Sequence, residues 1–118
     1  MATPSAGAQL SADVWETPGG EAYVIEIPVP GVRPDEIVIE VLHSSVTVST
    51  EPRQAVADPG RKYIRQEHSV QPLSRIIELP MELEADGVRA SLEYGVLKIG
   101  APIAVPGRPK MIRVGHTV

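Results

Sequence analysis

Residues 37–49 read IVIEVLHSSVTVS. Ile37, Ile39 and Val41 lie on one face of an extended chain, because successive side chains of a strand point to opposite faces. The polar residues 43–45 have the composition of a turn, and a second β-branched segment follows them. This stretch therefore predicts a β-hairpin with one face suited to a hydrophobic core.

Short segments of the same kind occur along the rest of the chain. The sequence contains 12 proline and 10 glycine residues, which interrupt segments rich in valine and isoleucine. Residues 22–29 alternate in the same way, and Val88, Ala90 and Leu92 share a face in a later segment. Pro72 lies within a longer predicted strand, residues 67–79, where it requires a bulge or an edge position. We predict about seven to nine short strands in a two-sheet β-sandwich.

Length and composition narrow the functional classes. A chain of 118 residues forms one domain. The absence of cysteine excludes disulfides, thiol nucleophiles and thiolate metal sites, and a net charge of −4 argues against a broad DNA-binding surface. No apolar run approaches the ~20 residues that a membrane span requires, and the first ten residues lack the features of a secretory signal. We therefore expect a cytoplasmic protein without a membrane span.

The ends of the chain differ from its middle. Residues 1–12 are small and polar and predict a short N-terminal arm, whereas residues 13–101 contain the predicted strands. Residues 102–118 form a C-terminal extension whose prolines favour an extended tail. Ile112 and Val114 in this tail share one face, which is unusual for a polar chain end.

Catalytic and nucleic-acid-binding chemistry are not indicated. His43, His68 and His116 are far apart and form none of the spacings of metal sites. No phosphate-binding glycine loop or nucleophile motif is present. Aromatic residues make up 3% of the chain, too few to predict a stacking platform for nucleic acid. We predict a protein that is not an enzyme, has no metal or cofactor, and has no nucleic-acid partner.

Several motifs occur in an order that resembles one known family, the small heat-shock proteins with an α-crystallin domain. They are the first strand at residues 13–17, the Pro-Gly-Val step at 30–32, the segment LSRIIELP at 73–80, Ala90 followed by Gly-Val-Leu at 95–97, and Ile-Arg-Val at 112–114. Together they span most of the chain. Leu73 and Ile77 stand where the family has aromatic residues, which implies an aliphatic core.

The resemblance implies an immunoglobulin-like β-sandwich that forms a homodimer, and possible higher homo-oligomers. It implies that a strand within the loop at residues 50–65 is exchanged between partners and pairs with the partner's residues 14–17. The exchange residues in these two segments are Val14, Trp15, Glu16, Arg61, Lys62, Tyr63, Ile64 and Arg65. Arg75 matches the family's dimer-region arginine, and Glu67 is its predicted ion-pair partner.

The resemblance also implies a function. A member of this family is an ATP-independent chaperone, or holdase, that binds partly unfolded client proteins and limits their aggregation under stress. Ile112 and Val114 would form an anchor that inserts into a groove, and alternation assigns Ile39, Val41, Ala90 and Leu92 to that groove. The alternative is a non-catalytic adaptor or co-chaperone sandwich that binds a folded partner.

Overall fold

The alternating segments of the sequence form short β-strands. A computed structural model describes residues 10–52, 60–67, 71–105 and 114–115. The strands in these ranges are β1 (Asp13–Glu16), β2 (Ala22–Pro28), β3 (Ile37–Leu42), β4 (Ser45–Thr50), β5 (Leu73–Glu78), β6 (Arg89–Glu93) and β7 (Val96–Pro102). β5 begins directly after Pro72, so the strand is shorter than the predicted segment 67–79, and residues 61–65 form no strand in the single chain.

The strands form two antiparallel sheets. One sheet has four strands in the order β1-β2-β7-β6, and the other has three in the order β3-β4-β5. β3 and β4 form the hairpin predicted from residues 37–49, with Leu42 opposite Ser45. This arrangement confirms the predicted all-β sandwich, and its outer strands are β1 and β6 in one sheet and β3 and β5 in the other.

The core lies between the sheets and is aliphatic. Alternate residues of β2, β4 and β7 are buried, since these inner strands are covered by the opposite sheet. Tyr23 is the sole aromatic member of the buried cluster in the part of the chain that the structure describes. The cluster consists of Leu10, Tyr23, Ile25, Ile27, Val29, Val46, Val48, Ile77, Leu79, Leu83, Leu97, Ile99 and Ala101.

Packing continues for a few residues on either side of residues 13–101. Leu10, in the predicted N-terminal arm, is 5% exposed and belongs to the core. At the other end, β7 extends to Pro102, and Ile103 forms an isolated bridge with Leu83. The core therefore holds the last residues of the arm and the first residues of the C-terminal extension.

Two short 3-10 turns connect the sheets. Ala85–Gly87 lies in the loop between β5 and β6. Pro34–Glu36 leads into β3, and the buried carboxylate of Glu36 accepts a 2.9 Å hydrogen bond from the backbone N–H of Arg33. This bond fixes the entry of the chain into β3, one of the strands that border the candidate site.

Candidate functional site

An apolar groove runs between the outer strands β3 and β6, where the two sheets no longer cover each other. Its cavity measures about 150 Å³, and the lining residues are Pro34, Ile37, Ile39, Ala90, Ser91, Leu92 and Leu97. Ala90 lies opposite the buried residue Ile99 and therefore on the inner face of its sheet, yet it is exposed. The small side chain of Ala90 thus leaves open space between the edge strands β3 and β6.

The structure brings together three of the residues that were assigned to this groove from sequence. Ile39, Ala90 and Leu92 line the cavity together, although they lie on different sheets. Val41 does not line this cavity, although, like Ile39 and Leu92, it is partly buried and packs against the core. Ile37 and Leu97 also line the groove, although they were not assigned to it from sequence. The alternation of β3 and β7 was the signal available for finding them.

The predicted anchor lies only partly within the described residues. Ile112 is outside them. Val114 is described and is 90% exposed. Its position in the groove therefore remains a prediction, and the single chain presents an apolar tail residue and an apolar groove separately.

The second feature of the site is the free edge of β1. Thr17 N–H donates a 2.8 Å hydrogen bond to the carbonyl of Ala22 in the turn after β1. Backbone groups alternate in direction along a strand. The N–H and C=O groups of Trp15 therefore also point towards β2, whereas those of Val14 and Glu16 point away from it. Trp15 and Val14 are each 42% exposed. Within the described ranges, the edge therefore offers outward-facing backbone groups beside apolar surface.

Residues 60–67 carry the predicted exchange segment and are exposed throughout. Tyr63 is 55% exposed and Ile64 is fully exposed. The guanidinium of Arg61 donates a 3.2 Å hydrogen bond to the hydroxyl of Tyr63. The segment contains no proline, so every residue retains the N–H group that strand pairing requires.

Arg75 and Glu67 make separate contacts in the single chain. Nη1 of Arg75 donates a 2.9 Å hydrogen bond to the carbonyl of Leu10, a contact that sequence reasoning did not find. Oε1 of Glu67 lies 3.9 Å from Nε of Arg65, and both side chains are exposed. An Arg75–Glu67 ion pair between two chains stays a prediction.

Histidines and potential metal ligands are scattered in the described residues. No group of three or more potential metal ligands among His, Cys, Asp and Glu occurs in the described ranges. Nδ1 of His43 lies 3.7 Å from Oε1 of Glu82 on the surface, whereas His68 and His116 are outside the described residues. None of the helices within those ranges is long and apolar enough to cross a membrane.

A second apolar cavity was missed by sequence reasoning. It measures about 220 Å³ and lies at the end of the sandwich where Leu10 enters the core. Its lining comes from four separate stretches of the chain, including residues 28–32 and the start of β5. The prolines at 28, 30 and 52 were the available signal, but their convergence requires the folded chain.

Comparison with known proteins assigns the chain to a family. Residues 14–115 match the family model described as the Hsp20/alpha crystallin family. The chain belongs to this family. The 18 kDa antigen 1 of Mycobacterium intracellulare is 31% identical over 116 residues, which cover 98% of this chain and 75% of that protein. The 17.6 kDa class II heat shock protein of Arabidopsis thaliana is 34% identical over 119 residues, which cover 97% of this chain and 76% of that protein.

Solved structures of heat-shock proteins have the same fold as this chain. A small heat-shock protein from Xylella fastidiosa superimposes with a TM-score of 0.67 at 26% identity. The superposition covers 91% of this chain and 96% of the Xylella chain. Heat shock protein 16.0 from Schizosaccharomyces pombe gives a TM-score of 0.69 at 20% identity, which supports the fold. The resemblance drawn from the sequence motifs is therefore confirmed, as is the α-crystallin-type β-sandwich.

Proposed function

We propose that this protein is an ATP-independent holdase that binds partly unfolded proteins and limits their aggregation under stress. The groove between β3 and β6 carries the proposal, because a holdase requires apolar surface that is covered when idle and exposed to clients on demand. The names of relatives such as the Arabidopsis heat shock protein support a role in stress. Binding of this kind uses no catalytic group and no cofactor, and we place it in the cytoplasm.

The C-terminal tail is the proposed cover of the groove. Ile112 and Val114 are spaced to present two apolar side chains on one face, and the groove is lined by aliphatic side chains of Ile39 and Leu92. Burying two such side chains contributes roughly 3–6 kcal/mol before ordering costs. Proline residues favour an extended tail, which would reduce the entropy lost on docking.

The strength of this contact makes it reversible. A binding free energy of about −4 kcal/mol corresponds to a millimolar dissociation constant, so one anchor releases readily. Several anchors in one assembly hold together by avidity. Binding and release of the anchor therefore set the equilibrium between a dimer and larger homo-oligomers. Clients gain access to the groove when anchors release.

The proposed unit of assembly is a homodimer formed by strand exchange. Residues 61–65 of each chain would add to the free edge of β1 in the other, which satisfies the outward backbone groups of Val14 and Glu16. In this dimer Arg75 and Glu67 would form the predicted ion pair. Clients bind to the assembled protein without nucleotide.

Co-elution with a client tests the holdase proposal and separates it from an adaptor role. A heat-labile client is warmed with the protein in the absence of nucleotide and then applied to a size-exclusion column. We expect the warmed client to elute with the protein at high mass, and the unheated client to elute alone. Binding of a folded partner only, with no capture of the warmed client, would favour the adaptor.

A further inference from the structure

When β1 and residues 61–65 are aligned antiparallel, each of the four residues of β1 faces a residue of opposite charge or of similar apolar or aromatic character. We infer that β1 recognises residues 61–65 of a second copy of this chain by charge, with Asp13 opposite Arg65 and Glu16 opposite Lys62. This inference rests on the proposed exchange dimer. It adds the register, the residues that decide specificity, and a sensitivity to salt.

The positions between the charged pairs also match. In this register Val14 lies opposite Ile64 and Trp15 opposite Tyr63, so apolar meets apolar and aromatic meets aromatic. The parallel alignment of the same segments instead places Val14 opposite Lys62. It leaves Glu16 opposite an isoleucine, so one of the two ion pairs is lost. The antiparallel register is therefore the one that the side chains favour.

The backbone of β1 supports the same pairing. Because Val14 and Glu16 direct their backbone groups to the free edge, they would form the hydrogen-bonded pairs with the incoming strand. Asp13 and Trp15 then occupy non-hydrogen-bonded positions, where facing side chains approach more closely. These are the positions of one ion pair and of the aromatic pair, which gain most from close approach.

A row of charges on the outer face of the sheet is completed by the exchange. Asp13 lies directly opposite Glu26 of β2, and Glu26 lies opposite Lys98 of β7. Two neighbouring carboxylates repel each other, and a cation on the far side of Asp13 relieves that repulsion. Arg65 of a second copy would stand at that place.

The contacts that the segment makes in the single chain do not prevent this exchange. Arg65 and Glu67 are 3.9 Å apart with exposed side chains, and such surface pairs contribute little to stability. Trp15 and Val14 are partly exposed on the edge, and Ile64 is fully exposed on the segment. Exchange would cover apolar surface on both sides while it pairs the charges.

Charge reversal in matched variants tests this inference. The edge variant carries Asp13→Lys and Glu16→Lys, and the segment variant carries Lys62→Glu and Arg65→Glu. Each homodimer then has like charges at every pair, and we expect its dissociation constant in low salt to rise at least about tenfold. A one-to-one mixture should restore a stable dimer, because one exchange is then native and the other has its charges reversed. Sedimentation velocity measures all three samples.

Control variants distinguish the effect of this strand register from the effect of a changed net charge. They also distinguish failure of the register from failure of the exchange dimer. Glu93→Lys changes the net charge at an exposed position of β6, the opposite edge of the same sheet, and should change the dimer little. With no other cysteine in the chain, Trp15→Cys with Tyr63→Cys should give a covalent dimer, and Trp15→Cys with Ile64→Cys should not. Wild-type affinity in both charge variants, or no rescue in their mixture, would overturn the inference while the dimer stands. A monomeric wild-type protein would overturn the exchange dimer itself.

Discussion

The guanidinium of Arg75 donates a 2.9 Å hydrogen bond to the backbone carbonyl of Leu10, 65 residues earlier in the chain. Arg75 lies in the edge strand β5, and Leu10 precedes the edge strand β1 of the other sheet. The bond therefore links the two sheets on the side opposite the β3–β6 groove. It also holds the end of the N-terminal arm against the core, where Leu10 is buried.

Replacement of Arg75 by alanine should destabilise the sandwich, because the carbonyl of Leu10 loses its charged donor. We expect the free energy of unfolding to fall by about 1–3 kcal/mol. Urea denaturation followed by circular dichroism measures the change. Ser74→Ala, at the exposed neighbouring position of β5, is the control and should have little effect. An equal loss in both variants would show that the hydrogen bond is not the cause.

Two neighbouring isoleucines of β5 provide a matched test of the core. Ile77 is 6% exposed and belongs to the buried cluster, whereas Ile76 is 62% exposed on the outer face. Ile77→Ala should lower the free energy of unfolding by about 2–5 kcal/mol, because it leaves a cavity. Ile76→Ala should change it by no more than about 0.5 kcal/mol. Reversed effects in urea denaturation would mean that β5 has the opposite face buried.

Filling the groove should release the tail. Ala90→Leu places a larger side chain in the cavity between β3 and β6, and we expect a smaller average assembly mass by multi-angle light scattering. Ile112→Ala with Val114→Ala should reduce the mass in the same direction, and combining all three changes should add little because both act on one contact. Glu40→Leu, at an exposed position on the outer face of β3, is the control for added apolar surface. Unchanged mass in the tail variant would contradict the anchor.

Trp15 reports on the exchange dimer because it is the one tryptophan in the sequence and is 42% exposed in the single chain. Its fluorescence should shift to the red on dilution as the partner strand leaves. Val14→Pro removes an N–H group that faces the free edge, so this variant should remain folded and show the red-shifted emission at all concentrations. A wavelength that does not depend on concentration in the wild-type protein would place Trp15 outside the interface.

Much of the fold was predictable from alternation alone. Ile37, Ile39 and Val41 share a face because side chains of a strand alternate, and that rule also assigned Ala90 and Leu92. The edge strands β3 and β6 meet across the groove because a sandwich aligns its two sheets face to face. Val41 was assigned to the same groove but does not line its cavity, because alternation gives the face of a residue and not its position along the strand.

Other features depended on contacts between distant parts of the chain. Leu10 lies in a small, polar stretch without periodicity, so nothing local indicated that it enters the core. Its bond with Arg75 connects residues far apart in sequence, and no spacing rule predicts such a pair. The proposed pairing of residues 61–65 would involve a second chain, so it rests on complementarity and not on the fold of one chain.

Turbidity of a heat-labile client, with this protein added and no nucleotide present, tests the central claim most directly. We expect suppression of light scattering at a near-stoichiometric ratio, with no further change when ATP is added. An equal mass of an unrelated folded β-sandwich protein is the control for crowding. Undiminished aggregation in the presence of the folded wild-type protein would contradict the holdase proposal.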